Sequence, residues 1–187
     1  MTLRSLRLTL TYMPSGGIDR VEVGLNLGVL SIKGGWKPND AERDAAWELY
    51  VELATRIAVV PLRGGEGLMR EALTSLYALF DTIRGILRKY GPVLARPRPA
   101  GEYSFGQLAM LVLNFELRPL LARWHPALQD WESARPADRS QVAHEDAWEH
   151  AAQLRSEIEQ TRRRLVAYAD LLAHAAGVPP LTSYPTI

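Results

Sequence analysis

A single apolar seam at coiled-coil spacing runs through the C-terminal part of the chain and constrains its fold more than any other feature. Between Gln141 and Ala176 the seam residues recur alternately three and four positions apart: His144, Ala147, Ala151, Leu154, Ile158, Thr161, Leu165, Tyr168, Leu172 and Ala175. This period predicts one long amphipathic α-helix that buries its seam against other helices. About 36 residues would span ~54 Å, whereas a compact domain of this length is roughly 40 Å across. We therefore expect an elongated bundle, or a helix end that reaches a partner.

Helix boundaries are also marked in the middle of the chain. Asn39 with Glu42, and Ser104 with Gln107, have the spacing of capping boxes, in which side chains satisfy the free N–H groups of a helix start. A helix between them ends at Gly91, which suits the left-handed position after a helix and is followed by proline. With the C-terminal helix, these signals predict a bundle of about four helices.

The N-terminal residues alternate as β-strands do. Leu6–Tyr12 and Val21–Leu27 place apolar side chains on one face, and Val29–Lys33 reads as a third strand that ends at Gly34-Gly35. A small antiparallel β-meander with one apolar face needs a cover. The predicted fold class is therefore mainly α (α+β), with residues 1–35 packed on a helical bundle of residues 36–177 and a tail of residues 178–187.

Composition excludes several classes of function. The chain is 47% hydrophobic, carries a net charge of +1 and has no cysteine. The absence of cysteine rules out disulfides, thiolate metal sites and a cysteine nucleophile. The near-neutral charge argues against nucleic-acid binding. No apolar stretch approaches the ~20 residues that cross a bilayer, and no signal peptide is evident, so we expect a cytoplasmic protein without a membrane.

One histidine pair resembles a zinc-protease helix but has the wrong spacing. His144 and His150 are six positions apart, about 600° around a helix, whereas two ligands of one zinc ion must be four apart. We interpret this stretch as a solvated charged turn. No other metal, nucleotide or cofactor pattern is present, so we expect no cofactor and no catalytic residue.

A polar cluster surrounds a proline inside an apolar helical segment. Asn114, Glu116, Arg118 and His125 flank Pro119, which should kink or restart the helix because it lacks an N–H. The structural interpretation, which we favour, is a buried kink whose free backbone groups are satisfied by Arg118 and Asn114, with Trp124 in the core. The functional interpretation is a pocket in which Glu116 or His125 acts as acid or base.

A second candidate surface lies on the last helix. Three successive arginines there could contact phosphates or acidic partners, although a solvated or ion-paired helix face is the simpler interpretation. Trp36 follows a glycine turn and is the tryptophan expected to be exposed, whereas the other tryptophans lie on apolar helical faces and are expected in the core. The candidate interaction residues are Trp36, Arg155, Arg162, Arg163 and Arg164.

Several short stretches of the sequence give the chain a likeness to a known group of proteins. They are Trp-Glu-Leu-Tyr, Leu-Arg-Pro-Leu-Leu and Arg-Trp-His-Pro between Asp44 and His125, and a final Tyr-Ala-Asp-Leu-Leu. The chain resembles a family of uncharacterised actinobacterial proteins, over most of its length. The resemblance implies a bacterial cytoplasmic protein and carries no activity.

Two functional hypotheses follow. The first is a non-enzymatic interaction or assembly module that binds a protein partner, or a second copy of itself, through the long helix. The alternative is a small-molecule-binding regulator or cryptic enzyme with a pocket at the Pro119 kink. Coverage of the apolar seam within one chain would separate the two.

Overall fold

The computed structural model describes residues 20–27, 30–56, 61 and 67–184, and it is mainly helical, as the sequence predicts. A helical bundle carries a small sheet on the N-terminal side. In chain order the elements are β1 (Val21–Leu27), β2 (Leu30–Trp36), α1 (Asp40–Ala54), α2 (Met69–Tyr90), a 3-10 turn (Gly91–Ala95), β3 (Glu102–Tyr103), α3 (Phe105–Leu111), a π-helical turn (Val112–Leu117), α4 (Arg118–Ser133), α5 (Gln141–Asp146), α6 (Ala151–Ala176) and a final 3-10 turn (Leu181–Ser183).

The sheet has three strands in the order β1-β2-β3. β1 and β2 form the predicted antiparallel pair, with Val21 opposite Trp36 and Leu27 opposite Leu30. The apolar residues of β1 are buried and β1 packs on α6, which supplies the cover that the sheet needs. β3, which the sequence did not predict, pairs with β2 in parallel. The strand predicted at residues 6–12 lies outside the described residues.

β2 continues through the glycines that were expected to end it. The N–H of Gly35 donates to the carbonyl of Gly101 at 2.8 Å, and a side chain at Gly34 would collide with that same carbonyl. Trp36 is therefore carried inward, where it is fully buried and lies 6.3 Å from the ring of Phe105. The prediction that Trp36 is an exposed interaction residue is wrong, because the extended strand places its indole under α3.

The C-terminal helix is shorter than predicted. α5 ends at Asp146 and α6 begins at Ala151. The indole N–H of Trp131 donates to the carbonyl of His144 at 2.9 Å, which is the oxygen that the N–H of Trp148 would need in a continuous helix. The N–H of Trp148 bonds instead to the carbonyl of Glu145, at 3.1 Å. The first part of the predicted helix thus ends where α4 contacts its last turn.

The seam of α6 is covered within the chain. All of its seam positions from Leu154 onward are buried, as predicted. At ~1.5 Å per residue the 26 residues of α6 span ~39 Å, close to the ~40 Å diameter of a compact domain. The helix therefore neither projects from the fold nor leaves its seam open. No helix in the described part of the chain is long and apolar enough to cross a membrane.

Candidate functional site

An open cleft lies between α2 and α4. α2 supplies three side chains at spacings of three and four, and α4 supplies four in the same pattern, so that each set occupies one helix face. The cleft has a volume of about 390 Å³. Its lining residues are Tyr77, Phe80, Arg84, Arg118, Leu121, Ala122 and His125.

The π-helical turn before α4 positions Arg118 at the cleft. The N–H of Arg118 bonds to the carbonyl of Leu113, five residues back rather than four. This wider turn accommodates Pro119, which cannot donate to the turn before it, and α4 restarts at Arg118. The irregularity predicted at Pro119 is confirmed, and the side of the helix that carries Arg118 faces α2.

Two guanidinium groups share one aromatic ring in this cleft. The guanidinium carbons of Arg84 and Arg118 each lie 5.5 Å from the ring centroid of Phe80, within cation–π distance. Arg118 donates to the neutral Oδ1 of Asn114 at 3.2 Å, and Arg84 to Asp81 at 3.2 Å, whose side chain is 83% exposed. Because Asp81 is so exposed, its ion pair with Arg84 offsets little of the positive charge of Arg84. No carboxylate is among the lining residues, so the cleft is positively charged.

His125 forms one end of the cleft, and its ring is held in place by Arg70. Arg70 donates to its Nδ1 at 2.8 Å, and because a guanidinium can only donate, Nδ1 is the acceptor and Nε2 carries the proton. Burial and the charge of Arg70 lower the pKa of His125. Arg70 itself is held by Glu132, at 2.8 Å. The ring therefore presents no lone pair for proton abstraction, which disfavours the acid–base role considered for His125.

The lowered pKa of His125 should appear as a pH dependence of stability. Below about 6.5 the unfolded chain takes up a proton at this ring before the folded chain does, so the free energy of unfolding falls as the pH falls through this window. We expect the wild type to lose more stability than His125→Gln, which does not titrate, in urea unfolding between about pH 7.5 and 5. Other groups titrate alike in both proteins. Equal slopes, or an NMR titration midpoint for the ring at or above about 6.5, would contradict this expectation.

Glu145 anchors the end of α2 from which Arg70 projects. Its buried carboxylate accepts from the N–H of Met69 at 2.8 Å and from that of Arg70 at 3.4 Å. It therefore supplies the cap that α2 lacks at its own start. Burial raises the pKa of Glu145, and these two N–H groups oppose the shift.

The four residues predicted as a pocket are divided between two places. Arg118 and His125 line the cleft, and Asn114 supports Arg118 from outside it. Glu116 is only 4% exposed and faces α6, where it accepts from the hydroxyl of Thr161 and the Nε of Arg164, both at 2.6 Å. Glu116 thus joins two helices through side-chain bonds and does not line the cleft. The prediction that Arg118 and Asn114 satisfy backbone groups of a buried kink is wrong, because both residues are exposed and bond to each other.

The arginines predicted as an interaction face are engaged in separate ion pairs. Arg155 pairs with Asp146 at 2.9 Å, and Arg164 holds the buried Glu116. Arg162 and Arg163 both bind Glu159, at 2.6 and 2.8 Å, and together they lower its pKa to about 2. Trp36 is buried, so it does not share an exposed face with these arginines.

Sequence reasoning missed the half of the cleft that α2 provides. Phe80 lies on the buried face of α2 and is only 7% exposed, so its spacing is typical of an ordinary core residue. Tyr77 and Arg84 lie on the solvent side of that pattern, and Tyr77 is 59% exposed. Nothing in a helix period distinguishes such positions from ordinary surface, because their function depends on the approach of α4.

Within the described residues, no cluster of histidine, aspartate and glutamate side chains could hold a metal ion. Comparison with protein-family models, with curated proteins and with solved structures found no match to this chain.

Proposed function

We propose that the protein binds a small organic anion with an apolar, planar body in the cleft between α2 and α4. The observation that carries the proposal is the pair of guanidinium groups on the ring of Phe80, in a cleft with no carboxylate among its lining residues. A volume of about 390 Å³ lies within the usual range for small-molecule sites. The function is thus the small-molecule alternative derived from the sequence.

The chemistry of the walls indicates how such a ligand would lie. Guanidinium groups match the planar geometry of a carboxylate and bind it through paired hydrogen bonds. Arg84 and Arg118 would hold the carboxylate, and the apolar body would pack on Tyr77 and Leu121. Because His125 presents no free lone pair, the site suits binding rather than proton transfer.

The proposal is tested with 2-naphthoate as the probe and 2-naphthamide as its uncharged counterpart, by calorimetry and by NMR chemical-shift mapping. We expect the naphthoate to bind and to shift resonances of Tyr77 and Ala122. Arg118→Met should weaken this binding by about tenfold or more, as the loss of a charged hydrogen-bonding partner requires. The naphthamide should bind much more weakly than the naphthoate.

A matched control uses an arginine of α2 that does not line the cleft. Arg88 is exposed near the end of that helix, and Arg88→Met removes the same charge. Arg88 lies one turn beyond Arg84 but does not line the cleft, so we expect its loss to weaken naphthoate binding far less than Arg118→Met does. Equal weakening by the two variants, or equal binding of acid and amide, would contradict the proposal.

A further inference from the structure

A second surface, on the outer face of α1, has the opposite charge and does not involve the cleft. Trp47 is 49% exposed and Val51, one turn further on, is 37% exposed. The sequence pattern placed Trp47 in the core, which the structure contradicts. Trp36, Trp124 and Trp148 are buried and Trp131 is half-buried, so Trp47 is the most exposed of the five indoles. Exposed aromatic side chains of this kind are enriched where proteins meet partners.

Acidic side chains run beside this apolar pair. Asp44, Glu48 and Glu52 recur every four residues on α1 and line the same concavity as Trp47 and Val51. This spacing aligns the three carboxylates in a stripe that is ~12 Å long. We refer to these five residues as the Trp47 face. An apolar stripe beside an acidic stripe is the complement of an amphipathic basic helix.

The opposite wall of the concavity shows how a cation is held there. Lys89, at the end of α2, places its Nζ 2.8 Å from a carboxylate oxygen of Glu48 and 4.9 Å from the ring centroid of Tyr90. Lys89 is the one cation among the residues that line the concavity, against the three carboxylates of α1. Glu52 also pairs with Arg56 at 2.7 Å, whereas Asp44 is exposed at the other end of the stripe. Two of the three carboxylates are therefore ion-paired, and the net negative charge that the face retains lies at its Asp44 end.

We propose that the Trp47 face docks an amphipathic α-helix of a protein partner, with lysine or arginine residues at four-residue spacing and an apolar residue that packs on Trp47. Helix-in-groove recognition uses this combination of a charged stripe and apolar anchors. The charges set orientation and association rate, and the desolvated indole supplies much of the affinity. This inference concerns a macromolecular partner and does not depend on the anion site.

The test uses a tryptophan-free model peptide of leucine and lysine, with lysines four residues apart, added to the full-length protein. Because Trp47 is the most exposed indole, we expect the peptide to shift the protein fluorescence to the blue and to protect it from acrylamide quenching. The variant Asp44→Asn/Glu48→Gln/Glu52→Gln should weaken binding by about tenfold or more, and added salt should also weaken it. A peptide with glutamate in place of lysine should not bind.

A matched variant separates this face from the overall charge of the protein. Glu71→Gln/Asp130→Asn/Glu149→Gln removes the same three charges from exposed positions elsewhere. We expect it to bind the lysine peptide within about twofold of the wild type. Urea unfolding and naphthoate binding verify that both variants remain folded.

Three outcomes would overturn the proposal. One is equal weakening by the two triple variants, which would mean non-specific attraction. Another is peptide binding without protection of Trp47. The third is sedimentation velocity in which the protein self-associates through Trp47, abolished by Trp47→Ala and not displaced by the peptide, since a second copy would then occupy the face.

Discussion

Replacing Glu42 with alanine is expected to lower the free energy of unfolding by about 3–5 kcal/mol, the range for removing one partner of a buried ion pair. The carboxylate of Glu42 is fully buried and accepts from the backbone N–H of Asn39 at 3.0 Å, from that of Phe105 at 3.0 Å, and from Arg98 at 2.6 Å. One side chain thus joins the start of α1, the start of α3 and the connector before β3. Urea denaturation followed by circular dichroism measures the loss.

Two further variants identify the source of that effect. Glu42→Gln keeps an oxygen acceptor but loses the charge, so its loss should be smaller than that of the alanine variant. Glu149→Ala removes a carboxylate that is 84% exposed, and should change stability by no more than about 0.5 kcal/mol. If Glu42→Ala were no more destabilising than Glu149→Ala, the bonds of Glu42 would not hold the three segments together.

Replacing Trp148 with alanine should cost about 3–5 kcal/mol, as for other buried aromatic residues, because the fold cannot close the space that the indole leaves. Trp148 is 7% exposed and lies edge-on to Trp124, with ring centroids 5.7 Å apart. Its ring also lies 6.5 Å from that of Trp131, whose N–H bonds to the carbonyl of His144 in α5. Chemical denaturation monitored by circular dichroism at equilibrium gives the difference.

The chain offers a matched control for this substitution. Trp47→Ala removes the same atoms from a side chain that is 49% exposed, so its effect on stability should stay within about 1 kcal/mol. The same variant serves the docking experiment, which requires a folded protein. Similar losses for the two tryptophans would contradict the assignment of Trp148 to the core and Trp47 to the surface.

Local sequence signals were sufficient wherever one segment decides its own structure. The capping boxes at Asn39 and Ser104 form as predicted, because each involves only residues three apart. Gly91 ends α2 at the predicted residue with a positive φ of 70°, which its lack of a Cβ allows, although its ψ of −160° differs from the left-handed position that was expected. The strand at Val21–Leu27 alternates in burial as its sequence alternates in polarity.

The site was predictable only in part, for a related reason. The proline at position 119 and the polar residues near it marked an irregular helix, and Arg118 and His125 do line the cleft there. Residues two apart in a helix lie about 200° around it from each other, so the spacing of Glu116 and Arg118 already places them on opposite faces. The sequence could not show that α6 covers the first of these faces and that α2 borders the second, because both neighbours come from other parts of the chain.

The long C-terminal helix shows most clearly where local information ends. Apolar periodicity is a property of the segment alone, so the sequence is enough to predict that residues from Leu154 to Ala175 form a helix with a buried seam. The start of this helix at Ala151 depends on tertiary contacts. The indole of Trp131 bonds to the carbonyl of His144 where α4 packs against α5, and the N–H of Trp148 bonds to the carbonyl of Glu145 instead. The exposure of Trp47, the burial of Trp36 and the approach of Arg118 to Phe80 have the same origin, because each depends on which distant part of the chain packs beside that residue.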